Sequence, residues 1–343
     1  DYSSQGRAVT TKDYEVFVRK LFPTTQAVSV WGGEDGSYDS STGVSSTPEY
    51  GKVFISVKST TGVDLTSAQK TNLETALAPY KVASITPVVV DAETTSIILG
   101  ITIMYDSTST TYTASDLQSL VSTTVSNYNS SDLQTFGTPF RHSKLLGLID
   151  NTDTSILNSV ATVTLAKLFT PTISTLTDYR LNFNNRFYNP VSGYNATAGG
   201  IIASTGFFLN SITTTTYFFD DDGSGNLRIY YLVSGVRTYY NNTAGTVDYE
   251  NGLVTINSIT ITGVADVDGA NSSQIRITTL PNSNDITPVR NQILEIDLTN
   301  TTYNGNVDAT TSTGVGYSTT TTAAGTTTTT VSSVSSTPSS SAY

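Results

Sequence analysis

Seven consecutive residues, Asp220-Asp221-Asp222-Gly223-Ser224-Gly225-Asn226, gather three carboxylates, a hydroxyl and an amide around two glycines. Those are the oxygen donors a hard cation takes. An EF-hand loop begun at Asp220 needs a bidentate Glu at its twelfth position, where this chain has Tyr231, and β-rich sequence flanks the stretch on both sides. The stretch is read instead as a hairpin turn in which Asp and Gly tolerate positive φ. Asp266-Val267-Asp268-Gly269 is read the same way. His142 is the one histidine and the chain has no cysteine, which removes the usual zinc sets and all disulfides. No Gly-x-Ser-x-Gly elbow surrounds a serine, and no Gly-x-Gly-x-x-Gly joins a strand to a helix. His142 opens a polar helix start, Glu15 and Glu74 fall on helix surfaces, and Glu250 sits beside the turn Asn251-Gly252. No acid/base pair can be located from this spacing. The expectation is a protein that is not an enzyme, with no cofactor and no metal site.

Composition points to contacts made by neutral groups. Of 343 residues, 13% are charged, about half the usual share. Ser, Thr and Asn fill the difference, and the chain holds 20 Tyr and 12 Phe. Tyrosine joins a large apolar ring to a polar tip and suits broad, partly wet interfaces. Tyr and Thr also fit a pleated sheet, so part of this usage follows from β structure alone. A formal net charge of −11, with Lys and Arg scattered, opposes binding to a phosphate backbone. The longest apolar run, Ile97 to Met104, is interrupted by Gly100 and Thr102 and is too short to span a membrane. Neither nucleic acid nor membrane is expected as a partner. The chain opens at Asp1 in mid-pattern, and we expect further domains to precede it.

The elements that must present these groups follow from periodicity. Thr10 caps a helix with Asp13 at its third position and Tyr14, Phe17, Val18 and Leu21 as its apolar stripe; Pro23 ends it. Strands are predicted over residues 27–31, 52–58, 82–90 and 96–105, the last two joined by the turn at 91–95. Thr66 with Gln69, and Thr113 with Asp116, start two more helices. A short helix over 143–149 and a strand over 160–168 follow. From 178 onward short strands alternate with turns, as in a β-sandwich or a curled sheet. The fold class is therefore α+β. A small α+β sandwich with an antiparallel sheet occupies 1–135, and a connecting segment with a short helix and strand occupies 136–177. An all-β domain fills 178–307, and a low-complexity Ser/Thr tail fills 308–343. The tail cannot bury enough apolar surface to offset its own ordering and is expected to be ordered by neighbouring subunits.

Several motifs in order carry a resemblance. They are Gly6-Arg7-Ala8-Val9-Thr10 with Asp13-Tyr14, Val30-Trp31-Gly32-Gly33-Glu34, and Pro48-Glu49-Tyr50-Gly51-Lys52. Further along come Phe136-Gly137-Thr138-Pro139-Phe140-Arg141-His142, Tyr217-Phe218-Phe219-Asp220-Asp221-Asp222-Gly223, Gly252-Leu253-Val254-Thr255-Ile256-Asn257 and Pro281-Asn282-Ser283-Asn284-Asp285-Ile286. Together, over roughly residues 6–297, they resemble the C-terminal portion of the large inner-ring baseplate wedge subunits of T-even-like contractile-tailed bacteriophages, within the wider baseplate J-like group. The resemblance implies a virion structural protein of the tail baseplate, assembled in the host bacterial cytoplasm. It implies partners too: a second copy, as a dimer within and between wedges, and other baseplate wedge proteins. The central hub and tail tube region would be reached indirectly. The resulting ring would relay conformational change to sheath contraction. The family brings no catalytic residues. The alternative reading is a receptor-binding tail fibre or adhesin.

For either reading the candidate contact residues are the aromatics of the all-β part: Phe207, Phe208, Tyr217, Phe218, Tyr230, Tyr231, Tyr239 and Tyr240. Neighbours such as Tyr230 and Tyr231 must face opposite sides of a strand, so one of each pair serves the core.

Overall fold

The computed structural model of the chain describes residues 6–39, 43–44, 47–60, 65–192, 200–267 and 272–308. Most of the Ser/Thr tail and the turn residue Asp268 lie outside the described residues.

The first body is a helix-covered sheet. Helix α1 (Thr11–Leu21) starts at a complete capping box, with Thr10 accepting from the Asp13 N–H and Asp13 reaching back to the Thr10 N–H. Strand β1 (Thr25–Gly32) leads through a 3-10 turn (Gly33–Asp35) to the two-residue strands β2 (Tyr38–Asp39) and β3 (Gly43–Val44), which pair with each other. Strand β4 (Lys52–Ser59), helix α2 (Ser67–Leu77) and strand β5 (Thr86–Val90) follow. β4 runs antiparallel to β1 and parallel to β5, with α2 as the crossover. Tyr14, Phe17 and Val18 of α1 and Leu73 and Leu77 of α2 pack on Val28, Ile55, Val57 and Val89. The opposite face buries Trp31 stacked on Phe54 (5.6 Å between ring centres) with Val90.

The structure then departs from the single N-terminal sandwich. Asp91 and Ala92 lead not into a hairpin but into a different sheet, in which β6 (Glu93–Tyr105) is an inner strand. The three-stranded sheet of the first body is mixed rather than antiparallel. The physical reason lies in β6 itself. Ile97, Leu99, Ile101 and Ile103 are all buried on one face, and that stripe needs more cover than the short first sheet can give. The strand expected from residue 82 begins only at Thr86, because a turn closes from the Ile85 N–H to the Val82 carbonyl.

Helix α3 (Ala114–Ser131), capped by Thr113 and Asp116, and helix α4 (His142–Asp150) supply that cover. Leu117, Val121, Val125 and Tyr128 of α3, with Leu145 and Ile149 of α4, join the β6 isoleucines in one core. Strand β7 (Ile156–Phe169) pairs antiparallel with β6 along ten residue pairs.

The chain now leaves this sheet. Strands β8 (Leu176–Asn182), β9 (Ala203–Ser204), β10 (Phe207–Leu209), β11 (Ile212–Asp221), β12 (Asn226–Val233), β13 (Val236–Asp248) and β14 (Leu253–Val264) follow in order. Strands β10 to β14 pair in sequence, and β10 also pairs with β14, so the antiparallel ladder closes on itself into a small barrel, with β8 added along β14. Its interior holds Phe207, Leu209, Phe219, Leu227, Ile229, Val254, Ile256 and Ile261. A closed curled sheet, not a sandwich, is thus the form of this region. β15 (Ile275–Thr279), β16 (Gln292–Ile296) and β17 (Thr302–Val307) then return to the sheet of β6 and β7. β15 pairs antiparallel with β7, while β16 and β17 run parallel to β6, one after the other along its edge. Residues 178–307 are therefore all-β in content but divided between two sheets. The barrel is an excursion between two neighbouring strands, β7 and β15.

Candidate subunit-contact surface

The turn Asp222–Asn226 joins β11 to β12 and centres the site. Asp222 accepts from the Ser224 N–H (2.8 Å), the Asn226 N–H (3.0 Å) and Asn226 Nδ2 (2.6 Å), while Gly223 and Gly225 sit at φ 72° and 105°. Burial works against the Asp222 anion, but these donors win and hold its carboxyl below the usual carboxylate range. Its oxygens are spent on its own loop, as the hairpin reading requires. Among the described residues no group of three or more His, Cys, Asp or Glu is arranged to hold a metal ion.

The two carboxylates before the turn point in opposite directions, as strand alternation demands. Asp221 is fully buried, accepting from the Ile202 N–H (2.9 Å) and the Tyr249 hydroxyl (2.6 Å). Burial and that bond to Asp221 push the Tyr249 hydroxyl far above the ordinary phenol value. A Cβ on Gly200 would fall 1.4 Å from Asp221 Oδ1, so only glycine fits there.

Asp220 faces the other way and is 1% exposed. It accepts from Arg228 Nε (2.9 Å), Arg237 Nη1 (2.9 Å) and the Tyr239 hydroxyl (3.0 Å). Arg228 lies opposite Asp220 across the β11–β12 hairpin. Burial lifts the Asp220 carboxyl above its ordinary value, and the two guanidinium groups offset this only in part. The arginines also stack on rings, Arg228 over Tyr239 (4.2 Å) and Arg237 over Tyr230 (4.6 Å). Tyr230 in turn stacks on Phe218 (5.5 Å) and meets Tyr239 edge-on (6.1 Å). The outer wall of the barrel therefore carries a ladder, Phe218–Tyr230–Tyr239, cross-strand paired and braced from below by a carboxylate and two guanidiniums. Burial raises the Tyr230 and Tyr239 hydroxyls above the usual phenol value.

The eight candidate aromatics fall into three groups. Phe207 and Tyr217 are core: Phe207 stacks on Phe219 at 4.5 Å inside the barrel, and Tyr217 is 7% exposed. Alternation from the buried Phe219 and Ile229 fixes that assignment. Phe208, Phe218, Tyr230, Tyr231 and Tyr239 are half-buried, and Tyr240 is exposed, meeting Tyr217 edge-on at 5.2 Å. Sequence reasoning missed Asp220, Arg228 and Arg237 as one unit. The signal was present, since a turn centred on Ser224 sets residues 220 and 228 opposite each other. It also missed the exposed apolar tip of the β12–β13 hairpin, Leu232, Val233 and Val236.

The remaining polar residues singled out in the sequence each contact a neighbouring element. His142 Nε2 lies 2.9 Å from the Ala161 carbonyl and the His142 backbone N–H donates to Asp285 Oδ1 (2.9 Å), which pins α4 against β7 and the 281–286 segment. Glu74 accepts from the Val89 N–H (2.8 Å), and Glu250 pairs with Arg186. Lys167 meets Glu93 at 2.7 Å, and Lys58 meets Glu295 at 3.3 Å across the two bodies.

These polar groups order strands and turns. Among the described residues, two main sheets, a small closed barrel and four helices make this a β-rich α+β protein. The comparisons with known proteins point to a structural family. The family described as baseplate structural protein gp6, C-terminal domain I, matches residues 10–90, and that described as C-terminal domain III of the same protein matches residues 94–168. The boundary between these matches falls where the chain crosses from the first sheet to β6. The chain is also similar to the baseplate wedge protein gp6 of Enterobacteria phage T4, 26% identical over 165 residues, which is 48% of this chain. It spans about a quarter, 23%, of the length of that relative. Over residues 10–168 the chain is thus similar to the C-terminal domains of a structural baseplate protein.

Proposed function

We propose that this chain is a structural component of the wedge of a contractile phage tail baseplate. It dimerises within and between wedges, joins other wedge proteins and closes a ring around the central hub. Through that ring it passes conformational change on to sheath contraction. It does this in the virion, after assembly in the host cytoplasm, and performs no chemistry of its own.

The observation that carries this reading is the outer wall of the barrel. Three aromatic rings lie side by side on adjacent strands, half-exposed, above the buried Asp220–Arg228 pair and the partly exposed Arg237 that fix them. A pre-ordered aromatic and arginine surface loses little conformational entropy on docking and has the composition of interface hot spots. Ring transitions need such stiff surfaces, because subunits rotate as rigid bodies about them.

Light scattering on the purified chain over a concentration series, at low and high salt, tests the reading. A dimer that dissociates on dilution with little salt dependence is expected, since the contact is aromatic rather than ionic. A tight trimer would favour a fibre. A monomer at every concentration would remove self-association from the account.

A further inference from the structure

Strand β13 is paired unevenly. One edge is held by β12 from Val236 to Thr246, whereas its ladder with β14 runs only from Gly245 to Asp248. The opposite edge of Val236–Tyr240 has no ladder partner among the described residues. β12 is in the same condition at its end, since its pairing with β11 stops at Tyr231. Leu232 and Val233 pair with β13 alone. The end of this hairpin is therefore a two-stranded ribbon beyond the closed part of the barrel. Ser234 and Gly235, at φ 52° and 82°, turn it tightly, as a two-residue hairpin loop requires.

A two-stranded ribbon is marginal in water on its own. This one also exposes Leu232 (51%), Val233 (49%) and Val236 (68%), the largest apolar exposure on any hairpin tip described here. Its free edge, Val236-Arg237-Thr238-Tyr239, has no proline and no carboxylate to blunt it, and Arg237 is turned onto Asp220 and the Tyr230 ring.

Resting on the dimer reading above, we infer that the partner of this edge is the same edge of a second copy of this chain, the two β13 strands pairing antiparallel about a two-fold axis. An antiparallel pair of identical edges is self-complementary by symmetry, so one surface serves both partners. Two chains of net charge −11 repel, and this ribbon is a place where they can meet without opposing carboxylates. The Leu232, Val233 and Val236 side chains leave water on pairing, and the ribbon becomes the centre of a four-stranded sheet.

Symmetry makes the test sharp. In such a pair, residues i and j face each other with i + j constant, so one residue of the segment faces its own copy, with Cα atoms about 4.5–5.5 Å apart. That lies within the span a disulfide bridges. The chain has no cysteine, so single substitutions give a clean readout. The five variants are Val236→Cys, Arg237→Cys, Thr238→Cys, Tyr239→Cys and Tyr240→Cys. Each is to be oxidised at a concentration where light scattering shows dimer and compared with Leu148→Cys on α4. Circular dichroism confirms that each is folded. One of the five should give a disulfide-linked dimer at least about tenfold faster than the control, falling off on either side. Leu232→Ser with Val236→Ser should weaken the dimer roughly tenfold or more. A dimer that persists with no cross-link above the control would overturn the edge pairing while leaving the dimer itself intact. A monomer at every concentration would overturn both.

Discussion

Replacing Asp220 by alanine should be among the most damaging single changes in the barrel. The side chain is 1% exposed and accepts three hydrogen bonds, two of them from guanidiniums. Its removal leaves Arg228, itself 7% exposed, as a buried charge without its carboxylate, although the Asp221 carbonyl at 2.7 Å remains. Breaking a buried pair from one side costs about 3–5 kcal/mol, a large fraction of the roughly 5–15 kcal/mol that holds a domain folded. Arg237→Ala is the control. Its side chain is 39% exposed, and losing it leaves Asp220 paired with Arg228, so the cost should stay near 1 kcal/mol. Urea titration followed by near-ultraviolet dichroism of the tyrosines reads both. At an m-value of about 3 kcal/mol/M, Asp220→Ala should lower the midpoint by more than about 1 M, and Arg237→Ala by a few tenths. Asp220→Leu combined with Arg228→Met should recover most of the loss, because no lone buried charge remains. Equal effects of Asp220→Ala and Arg237→Ala, or a cost below about 1 kcal/mol for Asp220→Ala, would show that Asp220 is not the buried partner on which Arg228 depends.

Gly252→Ala should destabilise by more than about 2 kcal/mol, seen as a lowered melting temperature. The position has φ 66°, and a Cβ there would lie 2.0 Å from the Asn185 carbonyl oxygen. Thr113→Ala should cost about 1 kcal/mol, read by urea titration, since it removes the hydroxyl that accepts from the Asp116 N–H at the start of α3. Stability should fall at both ends of the pH scale. Asp13, Asp116, Asp248 and Asp285 are held below their ordinary values by hydrogen bonds in the fold. Their contribution is complete above about pH 4 and is lost as pH falls through the lowered values. Asp220, raised by burial, opposes this only in part. Tyr14, Tyr128, Tyr230, Tyr239 and Tyr249 are raised by burial, so their contribution is complete below about pH 10 and is lost as pH rises beyond it. Melting temperatures measured from pH 2 to 12 should show both flanks; a rise in stability above pH 10 would contradict the burial of these hydroxyls.

What could be read from the sequence was local. The capping boxes at Thr10, Thr66 and Thr113 were legible because each is a contact over three residues. The hairpin turn at Asp222–Asn226 was legible for the same reason, and it already held the pairing of Asp220 with Arg228. Sheet membership was not. β5 and β6 are two residues apart and belong to different sheets, and β15 returns to β7 across more than a hundred residues of intervening chain. Nothing in a period-two pattern says which neighbour a strand will find. Closure of the barrel depends on β10, three residues long, pairing on both edges, and so short a strand leaves little periodic signal. The aromatic candidates were half legible. The expectation that one residue of each neighbouring pair serves the core holds for Phe207 and Tyr217 but not for Tyr230 and Tyr231 or Tyr239 and Tyr240, none of which is buried, because these lie toward the end of the hairpin that runs beyond the closed barrel.

The role proposed for this chain is that of a contact-building part of a baseplate. Antibody against the purified chain, applied to intact particles that carry it and viewed by electron cryo-tomography, tests that directly. Density confined to the baseplate ring at the end of the tail, at the same sites before and after contraction, is the predicted result. Label along fibres or at their tips, or no label on particles that contain the chain, would contradict it.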